Sequence, residues 1–163
     1  LQKPMQQVEG RFVTAFEDIT LTYASRPTEE KLREAREKNQ PNKEMHQAWA
    51  AAVTREFATK GEGAMRAAYP IQTWTLGNLA WAALAGEVVT DYSIRLRREV
   101  GGHLWVFGYS TDVMAYIPSE RVLKVGRYEG DTSMIPYGKP GPWTPGLEDQ
   151  IVKKTRELLG RKQ

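Results

Sequence analysis

The sequence predicts an α/β or α+β fold in which a mixed sheet is flanked by amphipathic helices. Residues 71–85 first alternate apolar and polar side chains and then become continuously apolar, with Gly77-Asn78 between the two runs, which predicts a β-hairpin. Residues 79–108 continue as strand, helix and strand, and two strands joined in this way are expected to be parallel. The chain has 163 residues, the size of one domain with one core.

Three elements are predicted before the hairpin. Residues 11–23 carry a β-rich run with rough alternation and form an extended strand or a bent pair of strands. Thr28 is a suitable N-cap for an exposed helix that runs to about Lys38. A further helix, which ends at Gly61, is predicted because large apolar side chains recur at every fourth position. These side chains are Met45, Trp49, Val53 and Phe57.

Glu87 directly follows the second strand of the hairpin, which is predicted to be central in the sheet. The apolar positions from Val88 to Val100 have helical spacing, and Gly101-Gly102 ends the helix that they predict. Residues 103–109 form the next strand. A buried strand therefore delivers Glu87 to the start of a helix.

The last part of the chain is predicted to contain two loops and one helix. A tyrosine-rich loop follows the last strand, and Tyr116 and Tyr128 stand twelve residues apart in it among turn-forming residues. Residues 136–146 hold four of the nine prolines and predict an irregular loop. An amphipathic helix begins at Leu147 and ends at residues 160–162.

Composition and charge exclude several classes of protein. Hydrophobic residues make up 40% and charged residues 26% of the chain, which is typical of a globular protein. The longest apolar stretch has eight residues, against the about 20 that cross a bilayer, so no membrane span is expected. The absence of Cys excludes disulfides, thiol nucleophiles and Cys-ligated zinc. The net charge is only +3, and Arg95, Arg97 and Arg98 are interpreted as a solvated helix face, so no nucleic-acid partner is expected.

Sequence motifs alone assign no chemistry to the chain. There is no Walker loop, dinucleotide fingerprint, His-Glu-x-x-His helix or Gly-x-Ser-x-Gly elbow, and two histidines are too few for the usual triads or multi-His metal sites. Glu87 is unusual because a carboxylate at the end of a hydrophobic strand needs a partner. The phenols of Tyr116 and Tyr128 are candidates to ligate or to donate a hydrogen bond, or they are packing residues with hydroxyls at the surface.

Three segments, taken in this order, resemble the end of the catalytic domain of the neutral/alkaline, non-lysosomal ceramidases. They are Gly86-Glu87-Val88, the run from Gly108-Tyr109-Ser110 to Tyr116, and Tyr128-Glu129-Gly130. The resemblance covers about residues 70–135. It implies a zinc ion held by two His, one Glu and one Tyr, and hydrolysis of the ceramide amide to sphingosine and a fatty acid. Glu87 and Tyr116 match the Glu and Tyr ligands, and Tyr128 matches the tyrosine that lies against the scissile amide.

The resemblance implies that the chain is the C-terminal part of a ceramidase-like, zinc-dependent amide hydrolase acting on ceramide or a related N-acyl lipid. Residues 1–163 are then a single domain or a fragment of a larger catalytic domain. The family's His ligands and active-site Ser come from earlier segments, which His46 and His103 do not match. The upstream part of the same domain is therefore an expected partner. The isolated chain is expected to be inactive and to hold no zinc, or to bind it only weakly, and the family suggests a secreted or periplasmic protein.

Two other interpretations stay open. In the first, the chain is a non-catalytic binding module whose aromatic residues form a contact surface, and in the second it is plain scaffold. The aromatic residues in question are Trp105, Phe107, Tyr137 and Trp143. The chain begins at Leu1 without an initiator Met or a signal peptide, which suggests a piece of a longer protein. A Gly-rich, His-x-His-like segment upstream in the parent reading frame would favour the enzyme.

Overall fold

The computed structural model describes residues 7–39 and 41–160, and it confirms the predicted α/β class with its mixed sheet. The strands are β1 (Phe12–Thr22), β2 (Arg66–Leu76), β3 (Leu79–Leu84), β4 (Glu87–Val88), β5 (His103–Phe107) and β6 (Tyr116–Ile117). The α-helices are α1 (Glu29–Glu37), α2 (Lys43–Lys60), α3 (Asp91–Val100), α4 (Glu120–Val125), α5 (Arg127–Gly130) and α6 (Leu147–Leu159). Short 3₁₀ helices span Gly61–Met65 and Thr132–Met134.

The main sheet has the strand order β1-β2-β3-β5. β2 and β3 form the predicted hairpin around Gly77-Asn78, with Trp74 opposite Trp81. β5 pairs with β3 in parallel, with Trp105 beside Trp81, and α3 connects the region of β3 to β5. The hairpin, the central position of β3 and the parallel crossover are therefore confirmed. The predicted extended strand near the N-terminus is β1, antiparallel to β2.

The two faces of the main sheet differ. Side chains on one face join α3 and α6 in the core, where Tyr69, Ile71 and Leu84 of the sheet lie fully buried with Leu96 and Ile151 of the helices. The other face is apolar but more open. Exposed side chains on that face are Phe12, Phe16, Trp105 and Phe107, and the Trp74-Trp81-Trp105 row crosses it.

The helices α1 and α2 form a second, smaller apolar cluster. Trp49, Val53 and Phe57 are buried as the helical spacing predicts, whereas Met45 is only partly buried. Thr28 caps α1 as predicted, because its side chain accepts a hydrogen bond from the Lys31 amide. The prediction that α1 is exposed is correct for most of its positions. Leu32 and Ala35, which face α2, are buried.

Two predicted boundaries are wrong. Glu87 and Val88 form strand β4, and the helix begins only at Asp91, because the main chain of this segment pairs with β6 before it can turn into a helix. The predicted tyrosine-rich loop contains β6, α4 and α5, so Tyr116 lies on a strand and Tyr128 on a short helix. Ser119 helps to start α4 because its hydroxyl accepts a hydrogen bond from the Val122 amide.

The interpretation of the three arginines as a solvated face is wrong for Arg95. Its guanidinium bonds Glu99 at 2.8 Å, Glu148 at 2.9 Å and Asp149 at 2.6 Å, and so joins α3 to α6. Arg97 and Arg98 are exposed as predicted. The terminal helix α6 is confirmed over Leu147–Leu159, and its predicted end at Arg161 and Lys162 lies outside the described residues.

Among residues 7–39 and 41–160, none of the helices combines the length and the apolar content that crossing a membrane requires.

Candidate functional site at Glu87

The backbone of β4 and β6 brings Glu87 and Tyr116 together. In this parallel pair the two residues are register partners, and the Glu87 amide donates to the Ala115 carbonyl at 2.9 Å. One residue earlier, the Gly86 amide donates to the Asp112 carbonyl at 2.7 Å. The pair lies just beyond the carboxyl ends of β3 and β5, an edge where functional groups of α/β proteins often collect.

Gly86 allows this close approach of the two strands. Its φ is +72°, a conformation that residues with a Cβ rarely adopt. A Cβ at this position would lie 2.6 Å from the Ala115 carbonyl oxygen and 2.7 Å from Cγ1 of Ile117. Only glycine therefore fits the turn that leads from β3 to Glu87.

Two tyrosine hydroxyls donate to the Glu87 carboxylate, and a third tyrosine is its neighbour on β6. The Tyr109 hydroxyl donates to Oε2 at 2.6 Å, and the Tyr137 hydroxyl donates to Oε1. Tyr116, the register partner of Glu87, interacts with the same carboxylate, and this interaction, with smaller contributions from desolvation and nearby charge, raises the pKa of Tyr116 to about 12. The same carboxylate raises the pKa of Tyr109. The partner that the carboxylate was expected to need is thus a set of protonated phenols.

Tyr128 lies next to this cluster. Its ring meets the Tyr116 ring edge to face, with 5.6 Å between the centroids. Tyr128 is 51% exposed, so its hydroxyl makes no hydrogen bond that the core requires. The three residues that the sequence singled out, Glu87, Tyr116 and Tyr128, are therefore brought together, and the structure adds Tyr109 and Tyr137 to them.

Sequence patterns hardly indicate the two additional tyrosines. Tyr109 stands within one of the segments that carry the family resemblance, but no role was assigned to it; it has a φ of +53°, which is uncommon outside glycine and often marks a functional position. Tyr137 was placed in a contact surface with Trp143, and no local pattern connects it with Glu87. Its arrival at the carboxylate depends on the tertiary position of the proline-rich loop.

The predicted contact surface is wrong for Trp143. This residue is 1% exposed, because its ring stacks on Tyr23 at 4.4 Å between centroids. Its indole N–H also donates to the Tyr116 carbonyl at 2.8 Å. Trp143 therefore anchors the proline-rich loop beside β6, whereas Trp105 and Phe107 remain exposed as that interpretation requires.

The donor atoms of Glu87 and Tyr116 suit part of a zinc site. Carboxylate and phenolate oxygens are acceptable ligands, but a zinc site normally uses three or four protein ligands. Within the described ranges, no group of three or more His, Cys, Asp or Glu is placed to hold a metal. His103 opens β5 opposite Leu79, at the far end of the strand from Gly108, and His46 lies on α2. Glu87 and Tyr116 therefore fit two of the four zinc ligands that the family resemblance implies, and neither histidine joins them.

An open cleft of about 350 Å³ is lined by residues that lie close in sequence to this site. Its lining includes Val89, two positions after Glu87, and residues on both sides of Tyr128 in α5. One wall is a fixed ion pair: the Arg121 guanidinium donates twice to Asp91 at 3.1 Å and, with a hydrogen bond from the Ser119 hydroxyl, lowers the pKa of that carboxyl. The cleft thus combines an apolar lining with a charged wall.

Comparisons of the chain with protein-family models, with curated proteins and with solved structures found no match.

Replacing Glu87 with Gln is expected to lower the pKa of Tyr116 from about 12 toward the ordinary value of about 10. The neutral amide weakens the hydrogen bonding that favours the protonated phenol, and it removes the charge that opposes ionisation. The measurement is an alkaline titration of a chain with ¹³Cζ-labelled tyrosine, followed by NMR. Glu129→Gln, which removes a charge beside Tyr128, is the matched control and should leave Tyr116 unchanged; an unchanged Tyr116 in Glu87→Gln would contradict the assigned cause.

The same shift gives the sign of a pH effect on stability. Because the pKa of Tyr116 is higher in the folded chain than the usual value of about 10, folding holds this proton more tightly. The stabilising contribution is fully present below pH about 10 and is lost as the pH rises through about 12. Glu87→Gln should weaken this alkaline loss.

Proposed function

We propose that the chain is the C-terminal part of a zinc-dependent amide hydrolase that resembles the neutral/alkaline ceramidases and acts on ceramide or a related N-acyl lipid. The observation that carries the proposal is the parallel register of β4 and β6, which sets Glu87 against Tyr116. These are the residues that match the family's Glu and Tyr ligands. Register partners in a parallel pair carry their side chains on the same face of the two strands, so the two proposed donor groups lie side by side.

Each of the three residues has a separate role in this proposal. Glu87 and Tyr116 supply two oxygen ligands, and the two remaining ligands come from the upstream part of the same domain. The chemistry that a bound zinc ion supplies is a more acidic water and a polarised carbonyl. Tyr128, whose ring touches that of Tyr116, donates a hydrogen bond to the oxygen of the amide carbonyl as negative charge develops on it.

The cleft, which Arg127 and Glu129 on either side of Tyr128 help to line, supports an amphiphilic substrate. Part of its lining is apolar, from Val89, Val122 and Val125, and such side chains suit a segment of an alkyl chain. The Asp91–Arg121 pair on its wall can accept or donate hydrogen bonds to the polar part of a lipid. An N-acyl lipid has both parts, with the scissile amide between them.

The isolated chain is expected to bind zinc weakly, and binding should become about tenfold tighter per pH unit in the neutral range. Two ligands cannot close a four-coordinate site, and ligation by Tyr116 must release the proton that its raised pKa retains. Isothermal titration calorimetry with zinc chloride at several pH values measures both quantities.

Single substitutions separate the two proposed ligands. Glu87→Gln should remove the weak binding, whereas Tyr116→Phe should weaken it and abolish its pH dependence, because the phenylalanine has no proton to release. A stoichiometric site of nanomolar affinity that survives both substitutions would show that zinc lies elsewhere on the chain.

A second candidate function is a non-catalytic interaction module. It is favoured by the open face of the main sheet, where Phe12, Phe16, Trp105 and Phe107 are between 43% and 60% exposed. Aromatic side chains on a sheet face can pack against another protein surface. The parent reading frame discriminates between the two candidates: a His-x-His-like, Gly-rich segment upstream supports the hydrolase, and its absence supports the module.

A further inference from the structure

The two oxygens of the Glu87 carboxylate have different partners outside the proposed ligand set. Oε1 accepts a hydrogen bond from Tyr137, and Oε2 accepts one from Tyr109 at 2.6 Å. Groups that bond to a metal ligand commonly fix its orientation and change metal affinity by about 10- to 100-fold. Tyr109 and Tyr137 can therefore be compared as groups that orient the Glu87 carboxylate.

Tyr137 is held by a well-anchored loop. The Gly138 amide donates to the Ile135 carbonyl at 3.0 Å, and the Lys139 amide donates to the Met134 carbonyl at 3.0 Å. The Trp49 indole N–H, which comes from the buried face of α2, donates to the Lys139 carbonyl at 2.7 Å. The backbone on both sides of Tyr137 is thus fixed by other parts of the fold, and its half-buried side chain reaches Oε1 from a rigid base.

Tyr109 differs from Tyr137 in its side chain and not in its backbone, because the Tyr109 amide donates to the Gly86 carbonyl at 2.9 Å and the Ser110 amide donates to the Leu84 carbonyl at 3.2 Å. Its side chain is 65% exposed, and its backbone has a φ of +53°, a conformation that is uncommon for an aromatic residue. In the described part of the chain, its bond to Glu87 is the one side-chain hydrogen bond that it makes. Water can replace that bond when the ring swings away, because the hydroxyl is already at the surface.

We propose that Tyr137 is the positioning residue that fixes the Glu87 carboxylate through Oε1, and that Tyr109 is a displaceable cover on Oε2. This inference rests on the proposed function, in which Glu87 is a ligand. Oε2 would then be the oxygen that Glu87 offers as a zinc ligand, because the Tyr109 hydroxyl can leave it for water. The carboxylate does not need to turn for this exchange, because Oε1 stays bonded to Tyr137.

A metal-free experiment tests the unequal roles directly. In the 163-residue chain labelled with ¹³Cζ-tyrosine, Tyr137→Phe should shift the Tyr116 and Tyr109 signals, since the carboxylate loses its fixed orientation. Tyr109→Phe should leave the Tyr116 and Tyr137 signals in place. Both variants keep the aromatic ring, and equal thermal unfolding temperatures would show that the fold is intact. Equal shifts in the two variants, or a shift only in Tyr109→Phe, would overturn the proposal.

Zinc titrations give the second measurement. Tyr137→Phe should weaken zinc binding by about tenfold or more, and Tyr109→Phe should leave it unchanged or tighten it, because zinc no longer competes with a phenol for Oε2. Val113→Ala, an exposed substitution in the same loop, is the matched control. Weakening by Tyr109→Phe equal to that by Tyr137→Phe would contradict the unequal roles. Zinc binding that Glu87→Gln leaves unaltered would instead contradict the proposed function, and the metal-free NMR result would still decide the positioning role.

Discussion

In the parent hydrolase that we propose, Tyr128→Phe is expected to keep the zinc and to lower the turnover of amide hydrolysis by about 10²- to 10³-fold. The substitution keeps the ring that packs edge to face on Tyr116 and deletes only the hydroxyl. That hydroxyl is proposed to donate to the developing oxyanion, an interaction that is stronger in the transition state than in the bound substrate. The loss should therefore appear in kcat and in kcat/KM alike.

Tyr116→Phe in the same protein provides the comparison. It removes a proposed ligand oxygen, so zinc content and activity should fall together. Amide hydrolysis and zinc content are measured side by side on the two variants, with Val113→Ala as an exposed control outside the proposed site. Unchanged turnover in Tyr128→Phe would return Tyr128 to a packing role, and loss of zinc in that variant would mean that the two tyrosine roles are exchanged.

Much of the fold could be predicted because its elements have clear periodicity. The alternation of apolar and polar residues next to Gly77-Asn78 predicts the β2–β3 hairpin. Large apolar residues at every fourth position predict α2. The strands β4 and β6 could not be predicted in the same way, because two residues are too few to show a period. Their pairing is decided by main-chain hydrogen bonds between distant segments, such as that from Val89 to Ile117 at 3.3 Å.

The candidate site was predictable only in part for the same reason. Glu87, Tyr116 and Tyr128 stood out through their resemblance to a family, and the structure brings them into contact. Tyr137 did not stand out, because its place beside Glu87 depends on a loop that Trp143 anchors through Tyr23, the residue directly after β1. No pattern within the proline-rich segment indicates that contact. The aromatic residues of this segment were interpreted as part of a contact surface, but Trp143 stacks on Tyr23 and lies in the core.

The geometry also separates what the fold requires from what function requires. Tyr92 is fully buried and donates to the Pro118 carbonyl at 3.0 Å, so it supports the core behind the segment that leads to α4. Tyr109 and Tyr128 are both more than half exposed, and their burial contributes little to the stability of the fold. Packing therefore does not require their arrangement around one carboxylate and its neighbouring phenol.

Gly86→Ala is expected to destabilise the chain by about 2 to 4 kcal/mol and to separate Glu87 from Tyr116. The alanine would have to adopt a φ of +72°, which is unfavourable for a residue with a Cβ. Its methyl group would also lie 2.6 Å from the Ala115 carbonyl oxygen. The surrounding atom is backbone, so relief requires β4 and β6 to move apart. Urea denaturation measures the free energy of unfolding, and the ¹³Cζ signal of Tyr116 reports whether its hydroxyl still meets Glu87.

Gly126→Ala is the matched control for Gly86→Ala, because it separates backbone strain from crowding. Gly126 has nearly the same φ, +70°, but a Cβ there would have no neighbouring atom within 4 Å. Gly126→Ala should lower the free energy of unfolding by about 1 kcal/mol and leave the Tyr116 signal unchanged. If the two variants lose equal stability, crowding against Ala115 does not constrain the strand pair. If Gly86→Ala unfolds at lower urea but keeps the Tyr116 signal, the contact between Glu87 and Tyr116 does not depend on this glycine.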